Sequence, residues 1–285
     1  MAAFTSSLFA DTVAEWKFDQ SAEISGGNLV TLDKATLGAS TSSELMKRST
    51  ASPESTGLGE GWQSFLKTGF LEAHSGNERS DHGLVTKANA ADGKDAQYRK
   101  YFGRSGIKPE SGGTVYMVVS PRSKWSADAR CGLMSTGHRI DGYVSLMVRS
   151  GGLVLEVGGK GSGNLEQAEA RVEMSFDAGD WYFVAASWKG GSNPVLYVRR
   201  MLPVGPSDSP PGITGTANQV CGSFEQPRYD PIAIGAEWIN TGAEKFTTNG
   251  AGARIAYARL DNQPAEVAEM EAVFTSLGAA APAKP

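Results

Sequence analysis

A hairpin pattern in the middle of the sequence constrains the fold more than any other feature. YVSLMVR at residues 143–149 alternates polar and apolar side chains, and LVLEV follows at residues 153–157, after Gly151 and Gly152. Two strand-like runs joined by a short glycine turn are typical of an antiparallel β-hairpin. We therefore expect a sheet in which neighbouring strands run in opposite directions.

Similar short segments recur along the chain and are separated by turns rich in glycine and proline. Further segments with a strand pattern are residues 14–19, 28–32, 114–120, 171–176, 181–188, 195–199, 232–234 and 253–260. Glycine accounts for 35 of the 285 residues, against an ordinary share of ~7%, which fits many tight turns. Short strands without alternating helices or a repeat period predict an all-β fold, an antiparallel two-sheet β-sandwich of the jelly-roll type.

One amphipathic helix is predicted near the end of the sequence, over residues 264–277. Its apolar positions follow a helical period: Val267, Met270, Val273, Phe274 and Leu277. No linker-like stretch divides residues 11–278, so we expect a single domain there with a short C-terminal helix. Within it, residues 38–112 are rich in small, polar and charged residues and are expected to be mostly loop.

Charge and hydrophobicity exclude several classes of protein. The formal net charge is -4 and no basic block occurs, which argues against a nucleic-acid partner. No apolar stretch approaches the ~20 residues that a membrane-spanning helix requires. Hydrophobic residues make up 40% of the chain, as in a globular protein rather than a disordered one.

The two ends of the sequence have a different composition from the rest. Residues 1–10 are small and apolar, and they fit either the remnant of an export signal or a frayed N-terminus. Residues 279–285 fit a flexible tail or the beginning of a linker. We therefore expect a secreted or cell-surface protein, with the domain belonging to a longer multidomain chain.

The chain contains two cysteines, Cys131 and Cys221. In an exported protein they could form one disulfide between neighbouring strands. They could equally be two separate buried thiols that pack as small hydrophobic side chains. Neither has another cysteine or a histidine at a metal-binding spacing, so no zinc site is expected.

Four blocks of sequence occur in an order that is known from one group of β-sandwiches. They are GDWYFVA at residues 179–185, VLYV at 195–198, PIAIG at 231–235, and the closing segment at 252–270. Together they resemble the laminin-G-like domain of the concanavalin A-like lectin/glucanase superfamily. The resemblance covers roughly residues 110–275 and implies a jelly-roll sandwich of a kind that hosts lectins, adhesion modules, glycoside hydrolases and polysaccharide lyases.

The same resemblance bears on metal binding. Some members of the family bind calcium through acidic residues near the first and last strands, and Asp19 occupies the first of these positions. Ala256 stands where the closing strand of the family usually carries an acidic residue. The resemblance therefore leaves Ca²⁺ binding open, with Asp19 as the candidate ligand, and implies no other cofactor.

One cluster of residues fits an enzymatic alternative. Polysaccharide lyases need a group that neutralises a uronate carboxylate and a tyrosine or histidine that acts as base and acid. His138 and Arg139 lie just before Tyr143, and Arg149 shares the face of Tyr143 if Tyr143 begins a strand. The paired acidic run that glucanases of this fold carry on one strand does not occur. The cluster also fits a polar loop followed by a strand with a solvated outer face.

Aromatic side chains offer a route to carbohydrate binding without catalysis, because a ring can stack on the apolar face of a sugar. Trp125 lies in a predicted loop and Trp238 at a predicted strand end, and both are candidate ligand contacts together with Tyr143 and Arg149. Packing beneath a loop is the alternative for both tryptophans. The sequence thus predicts a non-catalytic carbohydrate-binding or adhesion module for a polysaccharide or glycan, with a lyase of uronate polymers as the alternative.

Overall fold

The structure is a computed structural model of the chain. It describes residues 12–18, 24–25, 28–29, 37–38, 43–45, 49–52, 55–73, 84–86, 112–135, 143–160, 165–222, 233–240, 245–261 and 263–279. Strands dominate these segments. A 3-10 turn at Ser64–Leu66 and one helix, α1 (Val267–Ser276), complete the regular structure of this part of the chain.

The strands are short, and glycine lies at several of the turns between them. In chain order they are β1 (Thr12–Lys17), β2 (Ile24–Ser25), β3 (Asn28–Leu29), β4 (Leu37–Gly38), β5 (Ser43–Leu45), β6 (Ser49–Ser52), β7 (Phe70–Ala73), β8 (Leu84–Thr86), β9 (Gly113–Pro121), β10 (Arg130–Ser135) and β11 (Val144–Arg149). They continue with β12 (Gly152–Lys160), β13 (Leu165–Glu173), β14 (Trp181–Trp188), β15 (Val195–Met201), β16 (Ile213–Thr214), β17 (Thr216–Ala217), β18 (Ala233–Ile234), β19 (Glu237–Asn240), β20 (Lys245–Thr248) and β21 (Ala253–Asp261).

Two antiparallel sheets form the fold. Among the described residues, the first sheet has the order β16-β15-β14-β9-β21-β1-β4, and β7 also pairs with β21 and carries β6 at its edge. The second sheet has the order β17-β13-β12-β11-β10-β18-β8-β5. Small hairpins are formed by β19 with β20 and by β2 with β3. The predicted all-β, two-sheet antiparallel sandwich with a short C-terminal helix is confirmed.

The main core lies between the two sheets. On β11, Val144, Leu146 and Val148 point into it, and they are joined there by alternate residues of β9, β12, β13 and β14. This alternation follows from strand geometry, since successive side chains point to opposite faces. The hairpin pattern in the sequence therefore marks the inner and outer faces of the second sheet correctly.

A second core covers the outer face of the first sheet. Helix α1 contributes Met270 and Phe274, and the segment 55–70 contributes Trp62 and Leu66, all of them buried against aromatic residues of β9, β14 and β15. The first sheet is thus covered on both faces. Within residues 38–112, which are expected to be mostly loop, the structure describes the packed segment 55–70 and the strands β5, β6, β7 and β8.

Helix α1 begins later than predicted. Its first residue is Val267, with Glu266 as N-cap, and the side chains of Glu266 and Glu269 form a reciprocal capping box. This box satisfies backbone donors that the first turn would otherwise leave free. Pro264 consequently precedes the helix instead of occupying its first turn.

The turn between β11 and β12 also differs by one residue from the predicted one. Arg149 pairs with Gly152, so the two turn residues are Ser150 and Gly151. Both have positive φ, 52° and 77°. Two residues with positive φ match the twist of the flanking strands, and glycine adopts this conformation without steric cost.

The cysteines are two free thiols in this structure, which corrects the disulfide alternative. Cys131 is partly exposed on β10 of the second sheet. Cys221 is buried, and its backbone forms an isolated β-bridge with Gly190 just after β14. Burial, followed by the charge of Glu237, raises the pKa of the Cys131 thiol to about 11. Burial also raises the pKa of Cys221 to about 11.

Candidate binding site on the outer face of the second sheet

The outer face of the second sheet carries a polar network built on three consecutive strands. Tyr143, Ser145 and Arg149 lie on the side of β11 away from the core, as the alternation predicts. Glu156 on β12 and Glu169 on β13 are direct cross-strand neighbours. Side chains at such positions on adjacent strands come close enough to interact.

Tyr143 and Glu156 form the buried part of this network. The hydroxyl of Tyr143 donates a hydrogen bond to Glu156 Oε1. Gln167 Nε2 in turn donates to the Tyr143 hydroxyl at 2.7 Å. The ring rests on Gly158, where a Cβ atom would lie 2.1 Å from the ring. Only glycine at this position leaves room for the ring.

Arg149 links the two carboxyl groups. Its Nη1 donates to Glu156 Oε2 at 3.2 Å and its Nη2 donates to Glu169 Oε1 at 2.5 Å. The side chain of Glu156 is 1% exposed, whereas those of Arg149 and Glu169 are 30% and 24% exposed. The network therefore runs from a buried carboxyl group to a partly exposed rim.

Burial and neighbouring groups shift the pKa of two side chains in the network, Tyr143 and Arg149. Burial, reinforced by the charge and hydrogen bond of Glu156, raises the pKa of Tyr143 far above its ordinary value. For Arg149, burial alone lowers the pKa, but the hydrogen bond and charge of Glu169 and the charge of Glu156 outweigh it and raise the pKa. Tyr143 thus stays a protonated donor, and the cation of Arg149 is already engaged by two carboxyl groups.

The rim of the network presents hydrogen-bonding atoms that the network itself does not use. Glu169 Oε2 and Gln167 Oε1 make no hydrogen bond with the described residues. Asn218, which is exposed, accepts from the Glu169 backbone N–H at 2.7 Å through Oδ1, and its amide N–H groups face no described acceptor. The buried Ser145 hydroxyl, opposite Glu156, also has no hydrogen-bond partner in the segments that the structure describes. Buried polar groups without partners are uncommon, and they mark places where water or a ligand can bind.

The other residues singled out from the sequence have different environments. Trp125 is 6% exposed, packs its ring against Phe176 at 5.2 Å and donates from Nε1 to the Ala251 carbonyl at 3.2 Å. This placement in the main core corresponds to the packing alternative, and the role of Trp125 as a ligand contact stays a prediction. Trp238 lies on β19, and this strand pairs with β20.

His138, Arg139 and Asp19 lie outside the described residues. The calcium and lyase roles that rest on them stay predictions. In the segments that the structure describes, no group of three histidine, cysteine, aspartate or glutamate side chains is placed to hold a metal ion.

Sequence reasoning missed the two glutamates of the network. Glu156 has no acidic neighbour on its own strand, and Glu169 belongs to the next strand of the chain. Their proximity depends on the register between β12 and β13, which the sequence does not specify. The usable signal was the alternation in LVLEV, which places Glu156 on the same face as Tyr143 once the hairpin register is known.

A separate cavity of about 500 Å³ opens beside the C-terminal end of α1. Arg199, Val204 and Thr275 are among the residues that line it. The Arg199 guanidinium is largely engaged, because it binds Glu271 at 2.6 Å and donates to the Pro206, Ser209 and Pro210 carbonyls. This cavity therefore offers a ligand few polar groups that are not already engaged.

Comparison with known proteins gives a likeness in structure alone. No protein-family model matches the sequence, and no curated protein matches it either. Among solved structures, the binding domain of Paraclostridial Mosquitocidal Protein 1 superposes with a TM-score of 0.53 at 11% identity, covering 93% of this chain and 52% of that one. The binding domain of Botulinum neurotoxin DC in complex with rat synaptotagmin II gives 0.52 at 10% identity, covering 93% and 51%.

The shared feature is the fold. At this level of identity the match shows an antiparallel two-sheet β-sandwich and nothing more specific. The chain spans about half the length of the solved structures that it matches. None of the helices in the described residues is long and apolar enough to cross a membrane.

Proposed function

We propose that the chain is a non-catalytic binding module for a neutral, hydroxyl-rich glycan, which it holds on the outer face of the second sheet. The observation that carries this proposal is the network of Tyr143, Arg149, Glu156 and Glu169. Its buried members are satisfied by one another, so its rim is held rigidly. A preorganised polar rim lowers the entropic cost of binding.

The chemistry of the rim favours a ligand rich in hydroxyl groups. Glu169 Oε2 and Gln167 Oε1 are acceptors, and the exposed amide of Asn218 is a donor. Adjacent sugar hydroxyls can donate to such acceptors and accept from such a donor. The network contains two carboxyl groups and one arginine, so an acidic sugar would be repelled by the excess of negative charge.

The same geometry argues against the lyase alternative. A β-elimination needs a tyrosine or histidine that can take a proton and a cation that is free to neutralise the substrate. Tyr143 is held in its protonated form by burial and by Glu156, and Arg149 is committed to Glu156 and Glu169. The observed contacts therefore support binding and not proton transfer.

The proposal also includes the family of the domain, its location and calcium binding. Membership of the laminin-G-like and concanavalin A-like group is supported by the four sequence blocks and the jelly-roll sandwich. A secreted or cell-surface location is supported by the structural match to binding domains of toxins. This chain spans about half the length of those domains. Calcium binding near Asp19 is proposed on the resemblance alone.

The test is a glycan array probed with the purified chain, followed by titration of the best neutral ligand. A matched pair of variants locates the site, because Glu169 and Glu173 lie on the same strand and the same face. Glu173 is exposed and pairs with Arg171, away from the network. We expect Glu169→Gln to weaken binding by about tenfold and Glu173→Gln to leave it unchanged.

Two results would count against the proposal. If the chain bound no neutral glycan on the array, the proposed ligand class would be wrong. If Glu169→Gln and Glu173→Gln bound the glycan with equal affinity, the proposed location of the site would be wrong. Incubation with alginate, glucuronan and pectin provides the catalytic control, since the unsaturated uronate left by a lyase absorbs ultraviolet light, and we expect no such signal.

A further inference from the structure

The outer face of the first sheet carries a row of polar residues beyond the edge of the second core. Glu72 on β7, Arg254 on β21 and Ser120 on β9 are consecutive cross-strand partners. Their neighbours Leu71, Ile255 and Val119 point into the main core, so the three polar side chains point away from it. Such a row places three side chains on one surface at the spacing of adjacent strands.

Three buried atoms of this row, Ser120 Oγ, Arg254 Nε and Glu72 Oε1, make no hydrogen bond with the residues that the structure describes. Ser120 is 1% exposed, so its Oγ is shielded from solvent. Arg254 Nε is also buried without a partner, and the guanidinium makes no ion pair with any residue in the described segments. Buried polar atoms that are left unsatisfied cost free energy, so a group of them in one place indicates a position where water or a ligand binds.

The surroundings hold the Arg254 guanidinium in a fixed position. It stacks over the ring of Phe70, with 5.0 Å from the guanidinium carbon to the ring centroid. Phe70 in turn packs against Trp181 at 6.4 Å between ring centroids. Stacking uses the flat face of a guanidinium and leaves its in-plane N–H donors available, which is the geometry that recognises carboxylates and sulfates.

The charge of the row favours an anion. Glu72 forms an ion pair with Arg122, which comes just after β9 and is exposed. The row then has two arginines and one carboxyl group, which is an excess of one positive charge. Arg254 makes no ion pair within the described part of the chain although Glu72 is its cross-strand partner, and the Ser120 hydroxyl beside it makes no hydrogen bond there either.

We propose that Arg254, Ser120 and Arg122 form a binding site for a single oxyanion group, a carboxylate or a sulfate. The guanidinium of Arg254 supplies the paired donors, Ser120 adds a third donor, and Arg122 adds charge at the rim. This site lies on the opposite sheet from the glycan site and is independent of it. The anion is either a free inorganic ion or the acidic group of a sugar.

Nuclear magnetic resonance of the arginine Nε–H groups provides the test. The full chain is titrated with sodium sulfate, and with sodium chloride at matched ionic strength as the control. We expect a saturable shift of the Arg254 Nε–H signal with sulfate and not with chloride. Parallel titrations with glucose 6-sulfate and with glucose distinguish the sources, since tighter binding of the sulfated sugar than of sulfate assigns a glycan and equal binding assigns the free anion.

Variants separate the site from general charge effects. Arg254→Lys keeps the charge but loses the paired donors, and we expect the affinity for sulfate to fall by about tenfold. Ser120→Ala removes one donor, with an expected loss of about threefold to tenfold. Arg200→Lys is the control, because Arg200 lies on the same sheet and is paired with Asp180. The proposal is overturned if sulfate and chloride act alike, which would leave water as the occupant, or if Arg254→Lys and Arg200→Lys bind sulfate equally.

Discussion

The two outer faces of this sandwich are built differently. On the first sheet, helix α1 and the segment 55–70 cover the strands with a second aromatic core, in which Phe183 contacts Phe274, Tyr197 and Tyr116 at 5.4 to 6.3 Å between ring centroids. On the second sheet, the outer face carries carboxyl groups, an arginine, an amide and a phenol that are bonded to one another.

This difference separates stability from recognition. Aromatic burial on the first sheet contributes favourable free energy in proportion to the apolar area removed from water. A polar network contributes little net stability, because its desolvation cost offsets much of its internal attraction. The second sheet can therefore keep a fixed set of hydrogen-bonding groups facing outward, while the first sheet and its covering layer supply rigidity.

The largest effect is expected where the covering layer meets the first sheet. Phe183→Ala should lower the free energy of unfolding by about 3–5 kcal/mol, because it removes a fully buried ring and leaves a cavity. Urea denaturation measures the change. Leu155→Ala in the main core should cost about 2–5 kcal/mol and serves as the reference. A loss below about 1 kcal/mol for Phe183→Ala would mean that the covering layer is not a true core.

A smaller effect is expected in the network of the second sheet. Tyr143→Phe keeps the ring on Gly158 but removes the donor to Glu156 and the acceptor for Gln167, so it should cost about 1–3 kcal/mol. Tyr182→Phe is the matched control, since its hydroxyl makes a single hydrogen bond, accepted from the Asp177 backbone N–H at 3.0 Å. Equal losses for the two variants in urea denaturation would show that the network is no stronger than one isolated hydrogen bond.

The smallest effect concerns the two thiols, whose alkylation rates depend on how exposed each of them is. Their pKa of about 11 lies above the ordinary thiol value of 9.0, so at pH 8 alkylation should be about a hundredfold slower than for a free thiol. Partly exposed Cys131 should react before buried Cys221. Because the folded pKa is raised, the thiols stabilise the fold fully below pH 9, and this stabilisation is lost as the pH rises towards 11. Mass spectrometry after timed alkylation gives the order, and reaction of Cys221 first would contradict it.

The sequence predicts the sandwich well where one face of a strand is apolar and the other is not. The β11–β12 hairpin is recognised in this way. The strands at Gly113–Pro121, Trp181–Trp188 and Ala253–Asp261 are buried on both faces and are recognised instead by short apolar runs with β-branched and aromatic residues between turns. The segment 55–70 is missed because its apolar residues, such as Trp62 and Leu66, pack onto a sheet from outside and follow no strand or helix period. Nothing local in that segment indicates which surface it will cover.

The site is predicted only in part for a related reason. The alternation along β11 places Tyr143 and Arg149 on one face, and the structure agrees. Their partners Glu156 and Glu169 are brought in by strand register, a long-range property that single-strand patterns do not contain. The row at Arg254 depends in the same way on the pairing of three strands that are far apart in sequence.

Strand β21 has a consequence for the order in which the molecule can assemble. It lies between β9 on one side and β1 and β7 on the other, and Trp16 of β1 pairs with Ala258. During synthesis, β1 emerges from the ribosome long before its partner exists, and the first sheet cannot close until residue 261 has left the exit tunnel. Such distant pairing favours slow folding after translation, during which the exposed edges of β1 and β9 need protection from association with other chains.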